Sequence, residues 1–388
     1  MKKLAIIGKG TAGVLSALHF IRHTDWVIDF YYDSGVKPQA VGEGSLPGFP
    51  AQLYNNANFN TFDLLNVDGT LKTGIYKENW GNKHSSFFHH FYPGQVGYHF
   101  NAVKLQQYIF NHLENNRRVT IIDKHVDSYD SIDADFIMDC SGKPADYSNY
   151  YTAEYIPVNS VYVTQCFWDS PKFQYTLSNA EKHGWYFGIP LMNRCSIGYM
   201  YNNSISSLDE IKEDALKIIQ TNNLIPSDTT SSFSFNNYYH KNNYSKRVVY
   251  NGNASFFLEP LEATSIGIIE NIQRKAFDVW NGIVSPEDAN KEYLNFIIET
   301  ETMIMLHYSA GSKFNSNFWD FAEKRGTDCI EKAMTTDKFK NIIDLSYQEE
   351  HRNLFYAPFI DSYSTWTASS FHQNIEGLGL KDNLKKYL

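Results

Sequence analysis

The chain opens on a short apolar run, Leu4 to Ile7, closed by Gly8. A run of that length bounded by glycine predicts a buried parallel strand over 3–8. Residues 14–23 then carry helical spacing, and 26–33 (WVIDFYYD) is apolar and extended again. Strand, glycine-rich turn, helix and strand in that order predict a βαβ unit. Further on, 103–115 reads as an amphipathic helix, and 119–123 and 134–142 as two more strands. The segment 51–70 is rich in asparagine and poor in helical periodicity, and 71–80 (LKTGIYKENW) reads as extended. Alternation of apolar and polar positions recurs over 155–200, as in VNSVYVTQCFW and RCSIGYMY, and predicts an antiparallel sheet. Residues 208–221 read as a helix, 228–246 as strand and loop, 251–265 as a turn leading into a helix, and 267–388 as largely helical. The pattern is α/β: a Rossmann-like domain over 1–155, continued by about 247–290, a sheet inserted over 156–246, and a helical region over 291–388.

The turn after the first strand is Gly8-Lys9-Gly10-Thr11-Ala12-Gly13. In a dinucleotide-binding unit the first glycine makes the tight turn. The second lets backbone approach a pyrophosphate, and the third lets the helix pack on the strand. Asp33, twenty residues after Gly13, stands at the distance of a ribose-binding acid. A βαβ unit without a nucleotide is the alternative reading of the same pattern.

Composition narrows the choice. The chain has 388 residues, 43% hydrophobic and 20% charged, enough to build a large core. Its net charge of -9 makes it a poor partner for nucleic-acid backbone. Aromatic residues reach 16%, which suits flat ligands or large aromatic interfaces. The four cysteines, Cys140, Cys166, Cys195 and Cys329, lack the spacing of a zinc or redox motif, and no histidines show metal-ligand spacing, so no metal is expected. The opening apolar run is too short for a secretory signal, and no stretch reaches the ~18 apolar residues of a membrane span. A cytoplasmic protein that does not span a membrane is the expectation.

Six segments, taken together and in order, resemble the flavin-dependent halogenases, specifically the tryptophan-halogenase family. GKGTAG (8–13) resembles its GGGTAG turn, and VGEGSLP (41–47) its VGEATIP. DADFIMDCSG (133–142) resembles its second flavin segment, GWYFGIPL (184–191) its WxWxIP signature, and FLEPLEATSI (257–266) its FVEPLESTGI. LKTGIYKENW resembles the stretch bearing its essential lysine, which falls at Lys72, eight residues before Trp80. Three features depart from the family: Phe187 stands for the second signature Trp, Ala263-Thr264-Ser265 for Ser-Thr-Gly, and the chain is shorter, without the insertion that covers indole.

The resemblance implies a flavin-monooxygenase-type fold and a reaction in which FADH2, O2 and halide yield hypohalous acid, whose halogen reaches an electron-rich ring. Lys72 would hold or carry the halogen, and Glu262 would polarise it or take the ring proton. A surface lysine on an edge strand, and an acidic helix start, are the plainer readings of those two residues. Lys77 lies five positions on and is expected on the opposite side of the strand. Glu259 reads as a cap for the helix that follows. Backbone N–H groups of Thr264 and Ser265 would hold the halide, and the serine in place of glycine points to bromide or iodide over chloride. FAD would contact Gly8, Gly10, Thr11, Ala12, Gly13, Asp33, Gly42, Glu43, Gly44, Val126, Asp139, Gly142 and Ile266. His89 and Phe91 would flank the substrate ring. Trp185 and Phe187 would form a hydrophobic wall beside the flavin or tunnel that keeps substrate away, unless they are ordinary core residues. FADH2 would come from a separate flavin reductase, and a homo-oligomer is expected. A flavin monooxygenase without halide use, or a degenerate flavin-binding protein, are the rival readings.

Overall fold

The computed structural model describes residues 1–38, 42–92, 94–348 and 362–386. The chain divides into two compact units. One comprises Met1–Gly69, Phe100–Thr152 and Tyr238–Asn295; the other comprises Thr70–His99, Ala153–Asn237 and Phe296–Leu388. The lysine-bearing segment 70–99 therefore groups with the sheet of 153–237, not with the rest of 1–155. The helical C-terminal residues group with that same sheet.

In the first unit, strand Lys3–Ile7 lies at the centre of a five-stranded sheet. The order is Val248–Tyr250, Phe136–Asp139, Lys3–Ile7, Val27–Tyr32, Val119–Asp123, and every pairing is parallel. Leu4, Ala5 and Ile6 are wholly buried, as a strand covered on both faces requires. Helices Thr11–His23, Ala102–Glu114 and Ser265–Trp280 pack with it. Aromatic side chains fill part of this core: Phe20 stacks on Trp26, and Phe136 on Trp280 at 5.0 Å.

One expectation fails here. Residues 51–70 are not free of helix: an α-helix covers Gly48–Ala57 and a 3-10 turn covers Thr61–Val67. Burial of Phe49 and Leu53 anchors the helix, and Asn58 ends it in the left-handed conformation. Asn60 then caps the next turn, its side chain accepting from the Phe62 N–H while Asp63 accepts from its own N–H. Of the asparagines that argued against helix, Asn58 and Asn60 punctuate it, while Asn55 and Asn56 lie within it.

The second unit is built on a seven-stranded sheet, ordered Ile225–Ser234, Ser160–Phe167, Arg194–Tyr201, Gly184–Pro190, Thr176–Glu181, Gly74–Glu78, Ser86–His90. All pairings are antiparallel except Thr176–Glu181 on Gly74–Glu78. That exception joins two strands from separate stretches of chain, where no hairpin dictates direction. One face carries Leu177, Tyr186, Tyr199 and Tyr201 under helix Leu208–Thr221. Helix Ala368–Leu378 packs on strand Ser86–His90, so closely that a Cβ on Gly377 would lie 2.3 Å from the Phe87 ring. A separate two-stranded ladder pairs Thr70–Lys72 with Gly97–His99.

All four cysteines are buried free thiols. Among the described residues, no helix is long and apolar enough to cross a membrane, and no group of three His, Cys, Asp or Glu is arranged to hold a metal.

Candidate active site

In the first unit the glycine turn has the geometry a pyrophosphate needs. Gly8 sits at φ +108°, and a Cβ there would lie 2.2 Å from the Cys140 carbonyl oxygen. A Cβ on Gly13 would lie 1.9 Å from the Gly8 oxygen, so only glycine lets the helix approach the strand. Gly10, Gly42 and Gly142 meet the opposite condition, with no heavy atom within 4 Å of a Cβ position. They leave room for a group lying against bare backbone, and in that respect the residues fit FAD. The N-terminus of helix Thr11–His23 starts immediately after Gly10, where unpaired N–H groups favour phosphate. Thr11 accepts from Gln106 Nε2 at 3.0 Å, Ala12 is buried, and Glu43 is buried with its carbonyl accepting from the Phe100 N–H. Gly44 is half-buried, Val126 packs against the cluster of Ala5, Ile7, Ile132 and Ile137, and Ile266 is buried. Val41, which opens VGEGSLP, lies outside the described residues.

Two acids expected at the cofactor are engaged by protein groups. Asp139 accepts from the Ser141 N–H at 2.8 Å and from the Tyr129 hydroxyl. It shapes the turn that leads to Gly142. Asp33 accepts from the Gly35 N–H at 2.8 Å and lies 3.0 Å from His125 Nδ1. His125 was not foreseen; it adjoins Val126 on the loop after strand Val119–Asp123.

Also in this unit, EPLEATS folds into an unusual turn. Glu262 (φ 72°, ψ 4°) and Ala263 (φ 52°) are both left-handed, and Thr264 (φ -73°, ψ -20°) returns to the right-handed region. Left-handed backbone at a non-glycine residue costs about 1–3 kcal/mol and marks functional turns. A left-handed residue followed by a right-handed one gathers successive N–H groups into an anion-binding concavity. Here the Ala263 N–H bonds to the Pro260 carbonyl at 2.9 Å, and the turn runs into helix Ser265–Trp280, whose first N–H groups lack intrahelical partners. Glu262 and Thr264 are both buried. Glu259 is wholly buried, and the Thr264 side chain at the N-cap position makes no cap bond of its own.

The second unit holds the lysine. Lys72 is wholly buried, with Nζ 5.6 Å from the centre of the Phe91 ring. It is no surface residue on an edge strand. Lys77 is wholly buried too, but in different company: Nζ donates to Asn374 Oδ1 at 2.8 Å and lies 5.6 and 5.8 Å from the rings of Phe87 and Trp366. Ladder registers put Lys77, His89, Trp185 and Phe187 on one face of the seven-stranded sheet. His89 is buried, 5.5 Å edge-on to Trp366 and 6.5 Å from Phe91. Trp185 is 1% exposed, whereas Phe187 is half-buried 6.2 Å away, its ring over Gly198. Trp366 and His99 were missed by sequence reading. Trp366 belongs to a short hairpin near the end of the chain, far in sequence from any motif. His99 sits in GYHF, where a histidine in an apolar run reads as core.

The protein-family description "Tryptophan halogenase" matches residues 3–129 and 113–381. The tryptophan 7-halogenase KtzQ of Kutzneria sp. (strain 744) is 24% identical over 310 residues, covering 70% of this chain and 54% of that protein. The tryptophan 6-halogenase ThaL of Streptomyces albogriseolus is 24% identical over 270 residues, covering 64% and 49%. The chain thus spans about half the length of the curated relatives it matches. Among solved structures, Xcc4156, a flavin-dependent halogenase from Xanthomonas campestris, superposes with TM-score 0.80 at 17% identity, covering 100% of this chain and 93% of that one. BrvH, a flavin-dependent halogenase from Brevundimonas sp. BAL3, gives TM-score 0.77 at 20% identity, covering 100% and 92%. These superpositions establish the expected α/β fold.

Proposed function

We propose, for a chain that belongs to the tryptophan halogenase family, that it is an FADH2- and O2-dependent halogenase acting on electron-rich aromatic compounds. The observation that carries this reading is Lys72: a lysine buried without exposure, at the family's motif position, beside an aromatic ring. FAD, when bound and reduced, supplies with O2 the oxidation of halide to hypohalous acid.

The chain's own residues do the rest. Gly8, Gly10 and Gly13, with Gly42 and Gly142, present bare backbone to the cofactor. The N–H groups of Thr264 and Ser265 hold the halide without a side-chain charge; bromide and iodide, which are easier to oxidise than chloride, are the favoured halides. Lys72 receives the hypohalous acid, either donating to its oxygen from Nζ or forming an N–halogen bond as the oxygen–halogen bond breaks and water leaves. The aromatic ring then takes the halogen, and Glu262 accepts the displaced ring proton. His89 and Phe91 present flat faces to the substrate ring, with Trp185 and Phe187 as a wall. A separate reductase supplies FADH2. A cytoplasmic homo-oligomer belongs to the same reading.

The test is an assay with flavin reductase, NADH, FAD, catalase and a panel of phenols and indoles, with chloride, bromide or iodide varied and products followed by mass. Halide-dependent mass gain that disappears in Lys72→Ala supports the reading, with rates for bromide and iodide above chloride. Hydroxylated products at every halide would replace it with a monooxygenase, to which Phe187 and Ser265 lend weight.

A further inference from the structure

His99 is wholly buried on the short ladder that carries Lys72. Thr70 stands directly opposite His99, and Lys72 opposite Gly97. His99 Nδ1 is 3.2 Å from Thr70 Oγ1, and Nε2 is 2.9 Å from Thr176 Oγ1. Thr70 has a single hydroxyl proton, which it donates to the Pro190 carbonyl at 2.6 Å. Its contact with His99 therefore needs the proton on Nδ1, which leaves Nε2 bare to accept from the Thr176 hydroxyl. The result is a one-way chain from Thr176 through His99 and Thr70 to Pro190. It joins the lysine ladder to strand Thr176–Glu181 and to the end of the signature strand Gly184–Pro190.

We infer that His99 is a positioning residue: as a neutral Nδ1–H imidazole it locks the Lys72 ladder to the signature Pro190 and thereby fixes where the lysine amine sits. This rests on the proposed role of Lys72. Burial, and after it the nearby positive charge of Lys72, hold His99 well below the usual imidazole range; a contact with the Leu71 carbonyl pulls the other way. The imidazole thus stays uncharged beside the lysine, as the hydrogen-bond chain requires. The bond asks of position 190 only a carbonyl, which proline keeps.

The test compares wild type with His99→Phe, His99→Asn and Thr70→Val in the halogenation assay, with free hypohalous acid trapped separately from ring-halogenated product. His99→Phe and Thr70→Val lower kcat for ring halogenation about tenfold with KM unchanged, and raise the trapped fraction. Asparagine keeps a donor to Thr70 and restores part of the coupling. An activity-independent readout accompanies it. In 13Cε-lysine spectra the Lys72 resonance moves in His99→Phe and Thr70→Val, while that of Lys77, equally buried, stays in place. Ring 15N shifts of wild type report the neutral Nδ1–H form. If wild type makes no halogenated product, the reading of Lys72 falls, and the spectra still judge the inference. If the Lys72 resonance stays put in both variants, or the ring proton is on Nε2, the inference is overturned. Should His99→Phe fail to fold, Thr176→Val breaks one arm of the chain and is read the same way.

Discussion

Gly8 and Gly10 stand two residues apart and have opposite surroundings. Gly8 adopts a backbone that side chains avoid, and a Cβ there would meet the Cys140 carbonyl; Gly10 has an ordinary extended backbone (φ -73°, ψ 178°) and open space beside it. Gly8→Ala is expected to lower stability by about 2 kcal/mol, read as a drop in melting temperature. Gly10→Ala leaves the melting temperature of the protein alone nearly unchanged but weakens FAD binding, read by quenching of flavin fluorescence. Equal effects at both positions would contradict this division of labour. Spacing along the chain was enough to place the tight turn at Gly8, because a turn's requirements are local. The same reasoning could not see that Asp33 and Asp139 are already engaged by their own loops, nor that Lys72 is buried. Those facts depend on residues such as His125, Tyr129 and Phe91, whose proximity is tertiary.

At the scale of elements, the strands and helices with strong periodicity were legible: 103–115 became Ala102–Glu114, 119–123 became Val119–Asp123, and 208–221 became Leu208–Thr221. Elements held by few anchors were not, as in Gly48–Ala57, where two buried aromatic and aliphatic side chains outweigh a polar sequence. The mixed sheet shows another limit. Alternation signalled strands, but it carries no information on direction, so the parallel pairing of Thr176–Glu181 with Gly74–Glu78 was invisible. That pairing nevertheless sets Ser178 opposite Lys77 and, through the next ladder, Phe187 opposite Ser178. The face on which aromatic wall and second lysine meet is thus a product of register.

Across the whole molecule, buried carboxyls give stability a common pH dependence. Burial pushes Glu270 in the first unit, and Glu181 and Glu301 in the second, from 4.5 up to about 7. Arg274 partly opposes this at Glu270, neighbouring Asp214 and Glu78 reinforce it at Glu181, and N–H groups of Tyr155 and Ile156 oppose it at Glu301. Each group stays protonated in the folded protein to about pH 7, whereas the unfolded chain releases its proton near 4.5. The folded state therefore binds more protons between those values, and stability falls as pH rises from about 4.5 to 7 and then levels. Burial acts in the opposite sense on His19, held down to about 3, on His240, held down to about 4, and on His99, held well below the usual range, so their contribution is lost as pH falls below 6.5. Melting temperatures measured from pH 6.5 to 8 should decline and then level, and Glu270→Gln should flatten part of the slope. A rise across that range would show that these carboxyls are paired or solvated in the folded protein.

The left-handed pair Glu262–Ala263 has a further consequence. If it holds the halide as proposed, a loop bent before its ion arrives would have no reorganisation left to perform, and its choice among halides would depend on radius and hardly on temperature. Ala263→Gly removes the backbone penalty at the second of those residues and is expected to raise the melting temperature. It also lets the loop adapt, and the ratio of bromide to chloride product should fall toward unity and become temperature-sensitive. Selectivity would then be a mechanical property of two dihedral angles, open to tuning without touching any group that meets the substrate.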